Sequence, residues 1–468
     1  MMTVTNQAQM MRDLRDDVFT RVTGSPLVNG TGVRLLVDAE QNYPAWMEAI
    51  ESAKERILFE SYIIHGDAQG KIFADALIEK AKEGVEVNVI YDWLGGFGKT
   101  SWLYWRNLRE NGVEVRCYNP PTLRDPLGVF SRDHRKCLIA DGRVAFVSGL
   151  CVGQDWVGDP ERDVPPWRDT GVELRGPAVA DVETAFAEVW GAMGSPLKMD
   201  SRPVLDEAGP SRVRVVQSSP GEAHVYRLDQ ILASAARDTM WITDAYFVGV
   251  PSYLQSMKDA SRDGVDVRIL VPRSTDIALV GETTRSTYRP LLEAGVRVFE
   301  WNGPMVHAKT AVFDGRYSRV GSTNLNVASW FANYELDVFV ECEDFGGKMM
   351  EMFLADLERS TEIVLSDTVR TRGKMRPKAT KTKRGGGSVR KATAGALNAA
   401  TSIGSAIAKS SPLGPAEARL LFLTAIVLIG LAAAFVFFPR IASIPFVIIL
   451  LLLAIPTLVK AIQNYRNN

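Results

Sequence analysis

The chain has 468 residues, 46% hydrophobic, 23% charged and 9% aromatic, a balance that excludes intrinsic disorder and fits roughly two to four domains of about 150 residues each. Four cysteines and four histidines without a Cys-x-x-Cys pair exclude a disulfide scaffold, indicate a reducing compartment and leave no convincing metal cluster. The net charge of −1 hides a segregation: residues 1–367 carry 39 bases against 54 acids, a net of −15, whereas residues 368–416 hold eleven bases and no acid. An acidic body is poorly matched to gripping a nucleic-acid backbone, so no nucleic-acid partner is expected.

The N-terminal segment, residues 1–29, opens on a polar stretch interrupted by Arg12, Asp13, Arg15, Asp16 and Asp17, so no signal peptide is expected. From residue 30 to about 365 apolar strand-like runs alternate with helical patterns, and the order occurs twice. Residues 56–62 resemble 239–246. Residues 83–90 match 263–270 at an offset of 180, and 111–115 match 294–298 at an offset of 183. His134, Lys136 and Asp141 then recur as His307, Lys309 and Asp314, both reading H-x-K-x4-D at an offset of 173. Four markers in one order predict two homologous α/β halves, 30–194 and 213–367, joined by a crossover at 195–212. Residues 93–105, with Phe97, Trp102 and Tyr104, either line a lipid path or pack a helix on the sheet, and packing is the expectation.

The basic segment 368–416 reads as a flexible tether that also attracts anionic lipid. In the final segment, 417–468, two uncharged runs of 19 residues, 420–438 and 441–459, are separated by Pro439 and Arg440. Each is long enough to cross a hydrocarbon core of about 30 Å, which predicts a C-terminal transmembrane hairpin. Basic residues on both flanks put its ends, and therefore the body, in the cytoplasm, anchored to the cytoplasmic membrane.

In H-x-K the period-two alternation of a strand puts imidazole and ammonium on one face. Two such halves facing each other offer two histidines and two lysines, which suits a phosphodiester. The lysines neutralise the non-bridging oxygens, one imidazole attacks phosphorus and the other protonates the leaving oxygen, with no call for a metal or cofactor. His65 and His224 have no repeat partner and are expected to be loop or core residues.

On these motifs the sequence resembles the phospholipase D superfamily and, within it, bacterial cardiolipin synthases. The second motif continues into Gly321-Ser322-Thr323-Asn324 and Asn333-Tyr334-Glu335; the first continues into Pro166-Trp167-Arg168-Asp169-Thr170. Tyr246-Phe247 also fits. The resemblance covers about residues 30–360 and implies a covalent phosphohistidine intermediate. His134 would be the nucleophile and His307 the general acid and later base. Lys136 and Lys309 would hold the phosphate, with Asn324 and Ser322 on the substrate side, and Asp169 and Glu335 would orient the imidazoles. Asp141 and Asp314, grouped with the catalytic motif, are expected to fix local architecture. The chain departs from the family pattern at Cys151, where an Asn is usual, and at Asn326 and Ala328, where Asp and Arg are frequent; the N-terminal membrane segment common in the family is not expected either. These departures bear on substrate more than on chemistry. The resemblance implies a membrane-bound phosphatidyltransferase acting on phospholipid, with a hydrolase releasing phosphatidic acid as the alternative. A nucleic-acid phosphodiesterase and an inactive membrane scaffold rank below both.

Overall fold

A computed structural model describes residues 16–121, 131–199 and 205–365. The two apolar runs predicted as a transmembrane hairpin, and the basic tether, lie outside the described residues. Among the described residues no helix is long and apolar enough to cross a membrane.

The duplication seen in the sequence is explicit in the strands. The first half contributes β1 (Val28–Val37), β2 (Arg56–Ser61), β3 (Glu86–Asp92), β4 (Glu114–Tyr118), β5 (Lys136–Ala140), β6 (Val144–Ser148) and β7 (Thr170–Arg175). The second contributes β8 (Ser211–Ser218), β9 (Thr239–Asp244), β10 (Asp266–Pro272), β11 (Arg297–Trp301), β12 (Lys309–Phe313), β13 (Tyr317–Gly321), β14 (Glu335–Glu341) and a short edge strand, β15 (Ser360–Ile363). Outward from the junction the first half runs β1-β7-β6-β5-β2-β3-β4 and the second β8-β14-β13-β12-β9-β10-β11. The two orders are the same, strand for strand. β1 and β8 pair antiparallel and join the halves into one continuous sheet.

Alternation along the strands sorts the core into layers. Leu138, Ala140 and Phe146 pack outward under the helices Asp38–Ser52 and Ala68–Lys82, while Cys137, Ile139, Ala145 and Val147 face a central cluster shared by both halves. The helices Val179–Ala192 and Glu343–Glu358 supply that shared layer, through Val182, Phe186 and Trp190 and through Phe345, Met349 and Phe353. Each closes its own half yet touches the first strand of the other. A separate cluster containing Leu228, Tyr253 and Trp330 fills the outer layer of the second half.

Asp141 and Asp314 belong to this framework and not to the chemistry. Each has positive φ, as does the glycine after it (Gly142, Gly315), the conformation of a type I′ turn closing the β5–β6 and β12–β13 hairpins. The Asp141 carboxylate accepts the backbone N–H groups of Lys54, Glu55 and Arg56 at 2.7–2.9 Å. Asp314 does the same for Arg237, Asp238 and Thr239. Both therefore sit at the far end of a five-residue strand, about 16 Å from the motif lysine.

Arg135, fully buried, fastens the halves together: it donates to the Glu335 carbonyl (3.2 Å) and the Ser218 carbonyl (3.3 Å) in one half and to the Ala185 carbonyl (2.6 Å) and Glu188 (3.1 Å) in the other. Its charge also faces the buried carboxyls of Glu60 and Asp133. Removing it leaves those groups uncompensated, so Arg135→Ala should lower the unfolding free energy by about 3–5 kcal/mol, measured by urea titration of the purified chain.

Candidate active site at the junction of the two halves

The segments that carry the two motif histidines do not end in their own half. Each crosses to form a parallel bridge with the other half: Asp133 with Tyr334, and Arg168 with Val306. The backbone N–H of His134 donates to the carbonyl of Tyr334 (3.0 Å), and that of His307 to the carbonyl of Arg168 (2.7 Å). One residue beyond each of those carbonyls lies an acid. The result is crosswise pairing: His134 Nδ1 lies 3.0 Å from Glu335 Oε2, and His307 Nδ1 lies 2.7 Å from Asp169 Oδ2. All four side chains are at least nine-tenths buried. With Nδ1–H donated to a carboxylate, Nε2 of each imidazole is left for substrate.

The carboxylates are themselves held. Glu335 accepts from the Ser322 hydroxyl at 2.5 Å and from the Asn333 amide at 3.3 Å. Ser322 also accepts the Leu336 N–H at 2.9 Å, so its hydroxyl is engaged in fastening Glu335. Asp169 receives the Trp156 indole N–H at 2.9 Å on the oxygen that faces His307, and the Thr170 N–H on the other. Trp156 is the counterpart of Ser322 in function, but it comes from a connection that is longer in the first half than in the second, and the repeat could not reveal it.

Lys136 and Lys309 begin their strands, and each ammonium donates to the carbonyl of its own motif histidine. The two are close enough for Lys136 to depress the pKa of Lys309. Across the sheet Lys136 faces Ser61, whereas Lys309 faces the carboxylate of Asp244. Asn324 is buried with its amide oxygen lacking a partner among the described residues, and the next N–H, that of Leu325, is tied to Asp244 at 2.8 Å. Cys151, at the matching place in the first half, is fully buried; burial raises its thiol pKa, and the charges of Lys136 and then Lys309 pull it back. A thiol thus stands within electrostatic reach of both lysines.

Tyr62 and Tyr246, one from each half, set ring edges against the histidines, with centroids 5.0 Å from His134 and 5.9 Å from His307. Trp156 and Trp167 add two more rings around His307 at 5.6 and 5.7 Å. The tyrosines follow the matched strands β2 and β9 and were visible in the repeat; the tryptophans had no repeated signal. His65 and His224 stay outside the site: His65 lies 3.5 Å from Asp67, and His224 contacts the carbonyl of Gln217 at 2.8 Å. Among the described residues no three His, Cys, Asp or Glu side chains converge as a metal site.

Burial disfavours the protonated forms of both histidines and of Lys309. The His307 pKa is pushed down to about 3, by burial first and by Lys309 second, against the pull of Asp169. His134 moves the same way for the same first reason. Burial likewise pushes Lys309 down to about 8, while Asp169 and Glu335 are lowered: burial opposes that, and the neighbouring imidazoles with the lysines outweigh it. An anion held between the lysines would favour these cations again.

Two expectations follow from these shifts. Below pH ~6.5 the unfolded imidazole takes up a proton that buried His307 refuses until about pH 3, so stability falls with pH across that window by about 1.4 kcal/mol per pH unit for this group. Equilibrium unfolding at stepped pH should show this slope, and His307→Asn should flatten it. On the alkaline side, kcat/KM should fall with an apparent pKa near the value of about 8 held by Lys309; Lys309→Arg, which stays charged, should move that limb above about pH 10.

Comparison with known proteins matches both halves. The family "Cardiolipin synthase, PLD-like domain" matches residues 46–153 and 228–357, one stretch in each half. Cardiolipin synthase of Geobacillus sp. (strain WCH70) is 32% identical over 352 residues, which are 73% of this chain and 69% of that protein. Cardiolipin synthase A of Pseudomonas aeruginosa (strain LESB58) is 34% identical over 353 residues, 74% of this chain and 71% of its own. Among solved structures, phosphatidylserine synthase of Haemophilus influenzae Rd KW20 superposes with a TM-score of 0.60 at 15% identity, covering 75% of this chain and 92% of that one, a likeness of fold.

Proposed function

The chain belongs to the cardiolipin synthase family of phospholipase D-like proteins, and from that premise we propose how its site works and on what. It is a phosphatidyltransferase of the cardiolipin synthase type. The observation that carries the mechanism is the crosswise pairing, His134 with Glu335 and His307 with Asp169, around two buried lysines.

The substrate we assign is phosphatidylglycerol. Lys136 and Lys309 hold its non-bridging phosphate oxygens, and Asn324 adds an amide donor. His134, kept with Nε2 unprotonated by its bond to Glu335, attacks phosphorus from Nε2. As the N–P bond forms, the bond from phosphorus to the glycerol headgroup oxygen breaks. That oxygen takes the proton from Nε2 of His307, whose imidazolium the bound anion and Asp169 stabilise, and glycerol leaves. A hydroxyl of a second phosphatidylglycerol then gives its proton to His307 as its oxygen attacks phosphorus. The N–P bond breaks, cardiolipin is released and both histidines return to their starting states. Water in place of the second lipid gives phosphatidic acid, so the outcome between transfer and hydrolysis depends on which hydroxyl reaches the intermediate. The aromatic surround of His307 by Trp156, Trp167 and Tyr246 supports transfer, because it lines the acceptor side with apolar surface.

We place the protein at the cytoplasmic membrane, held by the C-terminal hairpin with the body in the cytoplasm; the uncharged runs and the basic residues flanking them support this. Detergent-solubilised protein incubated with phosphatidylglycerol and no added divalent metal should yield cardiolipin and free glycerol, identified by mass spectrometry. His134→Ala should reduce the rate by about 10³-fold or more. Phosphatidic acid as the sole product would make the protein a hydrolase, and undiminished turnover by His134→Ala would remove the mechanism.

A further inference from the structure

Residues 93–105 divide in the structure. Trp105 is buried and stacked on Tyr91 with centroids 3.6 Å apart, and Tyr104 donates its hydroxyl to the Gly70 carbonyl at 2.8 Å, as packing requires. Phe97, Trp102 and Leu103, however, are 53%, 65% and 51% exposed, and Ile72, on the helix to which Tyr104 is tied, is 49% exposed. The packing expectation therefore holds for the second part of the stretch and fails for its tip. Large apolar side chains gathered at one corner are the signature of a contact surface.

The charge at this corner is opposite to that of the body. From Trp93 to Glu110 there are three bases, Lys99, Arg106 and Arg109, against one acid, Glu110, which pairs with Arg106 at 3.3 Å, in a body of net −15. Arg106 lies 4.8 Å over the Trp102 ring, so a cation and an interfacial aromatic are presented together. Tryptophan beside a basic side chain is the composition that settles at the boundary of lipid headgroups and acyl chains.

The corner is built onto the active site. β2 and β3 run parallel and β5 antiparallel to β2, so Ser61, Tyr91 and Lys136 share one end of the sheet. From that end Asp92 caps the short helix Trp93–Gly96 through the N–H groups of Leu94 (2.8 Å) and Gly95 (3.1 Å). Its other oxygen holds the N–H of Asp133, the residue before His134, at 3.0 Å. Gly95 packs so closely on the Tyr62 carbonyl that a Cβ there would lie 1.7 Å from it, and the Tyr62 ring is the one that meets His134.

We propose that the corner of Phe97, Trp102 and Leu103, with Lys99 and Arg106, docks on the surface of an anionic phospholipid bilayer and sets the mouth of the site against it. This rests on the reading of the substrate as phospholipid and adds where the body meets it. A lipid drawn from the bilayer then reaches His134 past Tyr62 without crossing water. The corner thereby orients the body against the bilayer.

The test uses the full chain reconstituted in vesicles of phosphatidylcholine and phosphatidylglycerol, with Cys117 and Cys342 changed to Ser. Trp102→Cys carries an environment-sensitive fluorophore, and Arg262→Cys, on the exposed helix Pro251–Arg262 of the second half, serves as reference. A blue-shifted label at 102, quenched by spin-labelled lipid several-fold more than the label at 262, is the expected result. Reversing Lys99 and Arg106 to Glu should weaken docking by about fivefold per site or more. A label at 102 that stays water-like and unquenched on these vesicles overturns the proposal and leaves the corner to a protein partner. The readout needs no turnover, so quenching without cardiolipin formation would sink the substrate reading alone, and cardiolipin formation without quenching would sink the docking alone.

Discussion

Neither half of this protein contains a complete catalytic group. An imidazole that has to hold one tautomer in a dry site needs a fixed carboxylate at Nδ1, and each half obtains that carboxylate from the other. The bridges at Asp133 and Tyr334 and at Arg168 and Val306 set the spacing, because they bring the backbone just before each acid onto the backbone of the opposing motif. Much of the interior serves this junction: the shared central layer, the buried Arg135, and Arg168, which reaches Asp356 at 2.8 Å and Asp38 at 3.2 Å from between the halves. A displacement of one half against the other would separate both pairs at once.

The electrostatics of the site follow from the same closure. Burial lowers the affinity of Lys309 and both histidines for protons while the carboxylates stay ionised. Such a site gains most from a ligand that brings its own negative charge and gives up its water, which describes a phosphodiester on a lipid. The two halves are not equivalent in detail: Ser322 steadies one carboxylate and an indole the other, and Lys309 alone has an acid opposite it. Such asymmetry gives two copies of one motif room for different roles.

The repeat, the H-x-K pairs and the α/β alternation were legible because each is local or periodic: strands announce themselves by alternation, and duplication by a constant offset. The partner of each histidine was not. Asp169 and Glu335 could be picked out as downstream acids, but which imidazole each serves is decided by bridges between residues some 140 to 200 positions apart. Asp141 and Asp314 show the opposite case. The motif spacing grouped them with the catalytic side chains, whereas the Asp-Gly dipeptide already marked a hairpin turn. The resemblance groups Ser322 with Asn324 on the substrate side, and only the fold shows its hydroxyl bonded to Glu335. Trp156 lies in a connection that the second half shortens, so repetition could not expose it.

The central claim is that two motifs make one site, with one histidine carrying the phosphatidyl group. It is tested most directly by quenching the full-length protein during turnover of phosphatidylglycerol under basic conditions, which preserve phosphohistidine, and mapping the adduct by tandem mass spectrometry. The account predicts at most one phosphatidyl adduct per chain, on His134, absent from His134→Ala. Adducts on both histidines of one chain, or an adduct that survives in His134→Ala, would contradict it.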